Sequence, residues 1–198
     1  MYNRKDAFYK KAKMEGYKSR AAYKLLELNK KHALFKSGDN VLDVGCAPGG
    51  WVQVVLQLKK CRIVGVDLLE VQNLTDTRFT FIQGDITEEQ TINRVLEACP
   101  GYDCVISDAA PNTSGSKLLD HVNSVELVRI IWEFSRTVLK KGGNFACKVF
   151  EGEDRDALVK AIKKEFDFCK ILRPEATRKS SFEMYVVFKG FKGTDEQS

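Results

Sequence analysis

The sequence predicts an α/β fold, a mostly parallel sheet with helices on both faces. Three observations predict it. From residue 39 onward, short apolar runs alternate with helix-like segments, as parallel strands joined by crossover helices do. The first run, VLDV (41–44), passes straight into the glycine-rich turn GCAPGG and then into a helix. Asp67, Asp85 and Asp108 each close an apolar run, at the carboxyl ends of strands where such sheets hold ligands.

The elements follow in order. One or two helices are expected within 4–14 and 19–32, before the sheet begins. VLDV is the first strand, followed by a helix over 50–59. RIVGVD (62–67) and RFTFIQGD (78–85) are the second and third strands. Thr87 and Gln90 have the spacing of a capping box and start a helix that runs to Cys99. DCVISD (103–108) is the fourth strand, and 109–120 is a polar loop. A helix over 121–140 is expected to stop at Gly142-Gly143. NFACKVF (144–150), a helix over 154–166, FCKILR (168–173) and FEMYVVFKG (182–190) complete the sheet.

Composition narrows the function. At 198 residues the chain is one domain with room for a substantial core. It holds no apolar run long enough to span a bilayer, and its charged N-terminus is unlike a signal peptide. Six cysteines without a CxxC pair, several in apolar runs, read as reduced buried thiols of a cytoplasmic protein. His32 and His121 are too scattered for a metal site. The net charge of +5 is unevenly spread. Residues 1–36 carry +8, with Tyr2, Phe8, Tyr9, Tyr17 and Tyr23 among the cations, and the rest carries −3. Cations interleaved with aromatics suit a polyanion with exposed bases; a solvated helix is the plainer reading.

The turn itself argues about its ligand. Gly45-Cys46-Ala47-Pro48-Gly49-Gly50 departs from the GxGxxG dinucleotide pattern. Ala47 replaces the second glycine, and Pro48 removes a backbone N–H from any phosphate cradle. Asp43 adds negative charge where a pyrophosphate would be repelled. S-adenosylmethionine, with a sulfonium and an ammonium, fits better. Asp67, 22 residues after Gly45, stands where an acid bonds ribose hydroxyls, and Asp85 could take the adenine amino group.

Four charged residues sit in apolar surroundings. Lys148 shares a strand face with Ala146 and Phe150, and Glu183 with Tyr185 and Val187. Lys24 lies among Ala21, Leu25 and Leu28, and Asp108 ends its strand. Each has an ordinary reading: Lys24 pairs with Glu27 at i+3, and Lys148 with Glu183 across strands.

KAKMEGYKSRAAYKLLEL, VLDVGCAPGGW, SDAAPNTSG, CKVFEG and SSFEMYVV, in that order along nearly the whole chain, resemble the motifs of FtsJ/RrmJ-type ribose 2′-O-methyltransferases. Cys46 stands where alanine is common in that family. The resemblance implies a Rossmann-like, class I S-adenosylmethionine-dependent fold of seven strands, the last antiparallel. It implies a catalytic tetrad at Lys24, Asp108, Lys148 and Glu183, and cofactor contacts at Gly49, Trp51, Asp67, Asp85 and Asp108. Lys148 is assigned nearest the hydroxyl proton. Like charge from Lys24 favours the neutral amine a base requires, while Asp108 and Glu183 favour the ammonium. Residues 1–36 become a basic helical extension that contacts RNA, and 37–198 the methyltransferase domain. The implied substrate is a uridine ribose of 23S-type RNA in the assembled large ribosomal subunit, modified by a cytoplasmic monomer. A tRNA anticodon-loop enzyme, an RNA-binding ribosome-assembly factor and an NAD-type oxidoreductase are the alternatives. Ala47 and Pro48 argue against the last.

Overall fold

The structure is a computed structural model that describes residues 7–57 and 60–193. The expected helix start at 4–6, the helix end at 58–59, and Tyr2 and Lys5 lie outside the described residues. Six helices and seven strands are defined there: α1 (Ala7–Met14), α2 (Ala21–His32), β1 (Asn40–Val44), α3 (Gly50–Gln57), β2 (Arg62–Asp67), β3 (Phe79–Gln83), α4 (Glu89–Ala98), β4 (Tyr102–Ser107), α5 (Lys117–Val138), β5 (Leu139–Phe150), α6 (Glu153–Lys163), β6 (Phe166–Leu172) and β7 (Glu183–Phe191).

The strands form one sheet in the order β3-β2-β1-β4-β5-β7-β6. The first five pair in parallel, and β7 runs antiparallel to both β5 and β6. The chain builds outward from β1 to one edge, then returns and builds the other way from β4. That switch point is where a parallel sheet opens a crevice at its carboxyl edge.

Period-2 alternation sorts the strand side chains onto two faces. Leu42, Val44, Val105, Phe145, Cys147, Val149, Val186 and Phe188 join Val125, Val128 and Trp132 of α5 and Ile162 of α6 in one core. Val41, Cys104, Ile106, Ala146, Tyr185 and Val187 join Leu25 and Leu28 of α2 and Trp51, Val52 and Val55 of α3 in the other. Leu25 and Leu28 are fully buried, worth about 1.5–3 kcal/mol each. The second helix of the basic N-terminal stretch is therefore built into the main core. α1 docks separately, with Ala12 against Tyr23 and Ala176.

Three local expectations fail. Thr87 does not cap α4: Glu88 is the N-cap residue, without a side-chain bond, and the Thr87 hydroxyl donates to Asp85 Oδ1 at 2.8 Å. The short side chain finds that strand-end carboxylate before the helix begins. α5 starts at Lys117, inside the predicted loop, and ends at Val138. Gly142-Gly143 is not its stop. Leu139 is already extended and pairs with Tyr102, while Asn144 pairs with Cys104. The intervening residues of β5 bulge out, and Gly142 takes the φ of +81° that this bend requires. Pairing with β4 thus ends the helix sooner than its own glycine signal would.

Candidate active site

The second core face carries the predicted tetrad. β4 places Asp108 just past Ser107, β5 places Lys148, and β7 places Glu183 and Tyr185, with Lys148 and Tyr185 directly opposite in register. α2 crosses this face and supplies Lys24 from the other side. It is held there by the Trp51 indole N–H, which donates to the Ala21 carbonyl at 2.8 Å.

The four residues converge. Lys24 Nζ lies 2.8 Å from Glu183 Oε2 and 3.9 Å from Asp108 Oδ1. Lys148 Nζ lies 3.3 Å from Asp108 Oδ1 and donates to the Asp108 carbonyl at 2.6 Å. Both lysines are buried. The ordinary pairings are not formed. Glu27 takes Lys31 at 2.6 Å in place of Lys24, and Glu183 goes to Lys24 in place of Lys148. Asp108 is the group both cations share.

Tyr185 joins them. Lys24 Nζ donates to its hydroxyl at 2.7 Å, and that hydroxyl donates to Asp108 Oδ1 at 2.5 Å. Burial, and then the charges of Asp108 and Glu183, hold the phenol well above its usual titration range. It stays protonated and relays Lys24 to Asp108.

The glycine turn sits at the carboxyl end of β1, next to this network. Gly45 (φ +77°) leaves no room for a side chain: a Cβ there would lie 2.6 Å from Ala109 Cβ. Gly49 (φ +105°) would place one 2.9 Å from Leu74 Cδ1 and 3.1 Å from Val71 Cγ1. The Ala47–Pro48 peptide is cis. Ala47 N–H donates to Asp67 Oδ2 at 2.8 Å, and Leu69 N–H to Asp67 Oδ1 at 2.8 Å, so Asp67 braces the turn. Lys18 N–H donates to Gln53 Oε1 at 2.7 Å, bringing the segment before α2 over the start of α3. The first N–H groups of α3 have no acceptor within their helix. Three carboxyl groups, Asp43, Asp67 and Asp108, surround this end of the sheet. The carboxyl groups suit a ligand bearing positive charge, the N–H groups of α3 suit one small carboxylate, and the acidic end of the sheet disfavours a pyrophosphate.

A family profile described as FtsJ-like methyltransferase matches residues 17–191, a span that holds the turn and the whole charged network. The chain belongs to the FtsJ-like methyltransferase family. This FtsJ-like methyltransferase is 45% identical to Ribosomal RNA large subunit methyltransferase E of Archaeoglobus fulgidus, over 97% of its own length and 99% of the relative's. It is 41% identical to the Pseudomonas fluorescens protein of the same name, over 96% and 92% of the two chains. A crystal structure described as a ribosomal RNA methyltransferase from Plasmodium falciparum superposes with a TM-score of 0.79 at 32% identity, covering 90% of this chain and all of that one. The family supplies its chemistry from S-adenosylmethionine, and the turn and its carboxyl groups fit that cofactor.

The other positions expected to bind the cofactor differ in what they offer. Asp67 is fixed at the end of β2. Asp85 Oδ1 accepts from the Thr87 N–H at 2.9 Å as well as from its hydroxyl. Trp51 is 3% exposed, its ring tilted over Tyr185 at 6.1 Å, so its side chain packs in the core. Two residues escaped the sequence reading of the site. Tyr185 was visible only as the face-mate of Glu183. Asp43 enters the sequence reading only as negative charge that disfavours a pyrophosphate, and the structure buries it to 1% exposure.

Proposed function

We propose that this FtsJ-like methyltransferase transfers a methyl group from S-adenosylmethionine to a ribose 2′-hydroxyl, that of a uridine in large-subunit ribosomal RNA. The observation that carries the reading is the convergence of Lys24, Asp108, Lys148 and Glu183 beside the glycine turn. The names of the Archaeoglobus and Pseudomonas relatives favour the ribosomal substrate over the tRNA one.

When bound, the cofactor supplies an electrophilic methyl group on a sulfonium. The protein must then align a hydroxyl and remove its proton. Lys148 is the group assigned to that contact, and its grip by the Asp108 carbonyl and carboxylate supports the assignment. As the neutral amine it takes the proton; as the ammonium it orients the hydroxyl and stabilises the growing oxyanion. Lys24, its charge met by Glu183 and Tyr185, keeps the Asp108 carboxylate aimed at Lys148. A cavity of about 240 Å³ opens beside the network, lined by Arg20, Lys24, Arg178, Ser180, Ser181 and Glu183. Its guanidinium and hydroxyl groups suit a sugar–phosphate segment, which delivers the ribose to Lys148.

The test is methyl transfer from labelled S-adenosylmethionine to unmodified large subunits, free 23S RNA and unmodified tRNA in parallel. Label on a ribose of the ribosomal substrates is the expected result. Label on tRNA alone keeps the chemistry and overturns the substrate. Lys148→Ala should lower transfer by about 10²–10⁴-fold, the usual range for a positioned acid–base group, while cofactor binding stays nearly unchanged. Equal loss of both would remove Lys148 from this role.

A further inference from the structure

Asp43 is a buried carboxyl group that the mechanism above does not use. It lies in β1 directly under the glycine turn, and neither of its oxygens has a hydrogen-bond partner among the described residues. Its register partners are Gly65 on β2 and Ile106 on β4, neither of which offers a side-chain donor. Cys46 folds back over Gly65, where a Cβ would meet its sulfur at 2.7 Å. The buried side chains of α3, Trp51, Val52, Val54 and Val55, bring no charge. The charges that reach Asp43 are those of Asp108 and Asp67, both repulsive to a carboxylate. The nearby cations are engaged elsewhere: Lys148 with Asp108, and Lys24 with Glu183 and Tyr185.

An ionised carboxylate in such a place is unfavourable on every count: buried, without a hydrogen-bond donor among the described residues, and flanked by like charge. Burial and the two neighbouring aspartates accordingly hold its proton well above the usual carboxylate range. What would reverse the balance is a positive charge entering at the carboxyl end of β1, between Asp67 and Asp108. The proposed methyl donor brings two such charges, a sulfonium and an ammonium. Its demethylated product keeps the ammonium but has a neutral thioether.

We infer that Asp43 carries a proton in the cofactor-free protein and gives it up to solvent when S-adenosylmethionine binds, making donor binding proton-linked and favouring the cationic donor over its neutral-sulfur product. Asp43 touches no reacting atom; it acts through the field in the pocket. Product release follows from the same balance. Loss of the sulfonium charge on transfer lets Asp43 recover its proton, which weakens the hold on the product. This inference rests on the cofactor reading proposed above.

Calorimetric titration of the full chain tests it. S-adenosylmethionine and S-adenosylhomocysteine are each titrated at pH 7 in phosphate and in Tris, buffers of different ionisation enthalpy. Release approaching one proton per S-adenosylmethionine, and clearly less per S-adenosylhomocysteine, is expected. Over pH 6–8 the donor's Kd should tighten by up to about tenfold per pH unit, the limit for one linked proton. Asp43→Asn should abolish the buffer dependence and narrow the preference for donor over product. Donor binding with the same heat in both buffers overturns the inference and leaves the cofactor reading intact, as does undiminished release from Asp43→Asn. Absence of donor binding overturns both. If Asp43→Asn does not fold, the wild-type buffer series and the contrast between donor and product decide alone.

Discussion

Lys148 meets Asp108 twice, through the carbonyl at 2.6 Å and the carboxylate at 3.3 Å, whereas Lys24 pairs with the Glu183 carboxylate at 2.8 Å and donates to the Tyr185 hydroxyl at 2.7 Å. The two lysines are equally buried but not interchangeable. In the proposed mechanism one faces the hydroxyl that loses a proton, and the other supports the carboxylate that positions the first. Tyr185 carries that support. Tyr185→Phe strands Lys24 and Asp108 by one partner each, so stability should fall by about 1–3 kcal/mol in chemical unfolding. Transfer should fall with it, because Asp108 loses a fixed donor. Unchanged stability would mean the hydroxyl is not a relay. Asp43 gives a different signature, in pH. Its folded-state proton is held above the unfolded value of about 3.9, so between those two pH values the folded chain binds a proton that the unfolded chain has lost. Stability of the cofactor-free protein is therefore full at low pH as far as this group is concerned, and declines as pH rises. The limiting slope is about 1.4 kcal/mol per unit. Urea unfolding at pH 5, 6, 7 and 8 should show a slope in wild type that is reduced in Asp43→Asn, and parallel curves would contradict the assignment.

Among the elements, the glycine turn is held from several sides at once. Gly49 combines a φ of +105° with neighbours at 2.9–3.2 Å from Leu74, Val71 and Lys18. Gly49→Ala should cost more than about 1 kcal/mol, since a side chain is strained at that φ and has nowhere to go. It should also weaken S-adenosylmethionine binding, because relief moves the turn away from Asp67; a stable variant with full affinity would show the turn to be plastic. This element was legible in sequence because three glycines, a proline and an acidic strand all mark it within ten residues. The order and type of the other elements were legible too, since apolar runs with period 2 and helices with period 3.6 alternate cleanly. What escaped was set by tertiary pairing. The end of α5 is fixed by Leu139 joining Tyr102, and the start of α5 by Asp120, whose Oδ1 accepts from the Ser114 N–H at 2.6 Å and hydroxyl at 2.8 Å. Neither interaction has a local signal. The same holds for the site: Lys24, Lys148 and Glu183 stood out as charges in apolar runs, but which acid each lysine meets depends on strand order, and only the folded sheet decides that.

For the molecule as a whole, charge is divided by function. The carboxyl end of the sheet gathers three aspartates around a pocket suited to a cationic cofactor, while a large RNA must approach the same edge despite that negative charge. We propose that the N-terminal stretch offsets it. α2 is committed to the core, but α1 lies outside, with Lys10, Lys11 and Lys13 exposed. Lys11 is only loosely engaged, 3.8 Å from Glu15 and 4.8 Å from the centre of the Tyr23 ring. α1 is anchored through Ala12 to Tyr23 and Ala176, and Ala176 also lines the Arg20 and Arg178 cavity; its lysines are the RNA contact we propose. Neutralising Lys5, Lys10, Lys11 and Lys13 together should weaken RNA binding without regard to sequence, because phosphate contacts carry no base information. Every lysine that no longer neutralises a phosphate also leaves that phosphate's counterion in place. The slope of log affinity against log salt should therefore shrink by about 0.7 per lysine for single-stranded RNA, or close to three in all. The Kd for S-adenosylmethionine should not move, since none of these lysines belongs to the turn. Filter binding of a large-subunit RNA fragment across a salt series measures the slope directly. A weaker affinity with an unchanged slope would place the RNA interface elsewhere and leave α1 as a packing element alone.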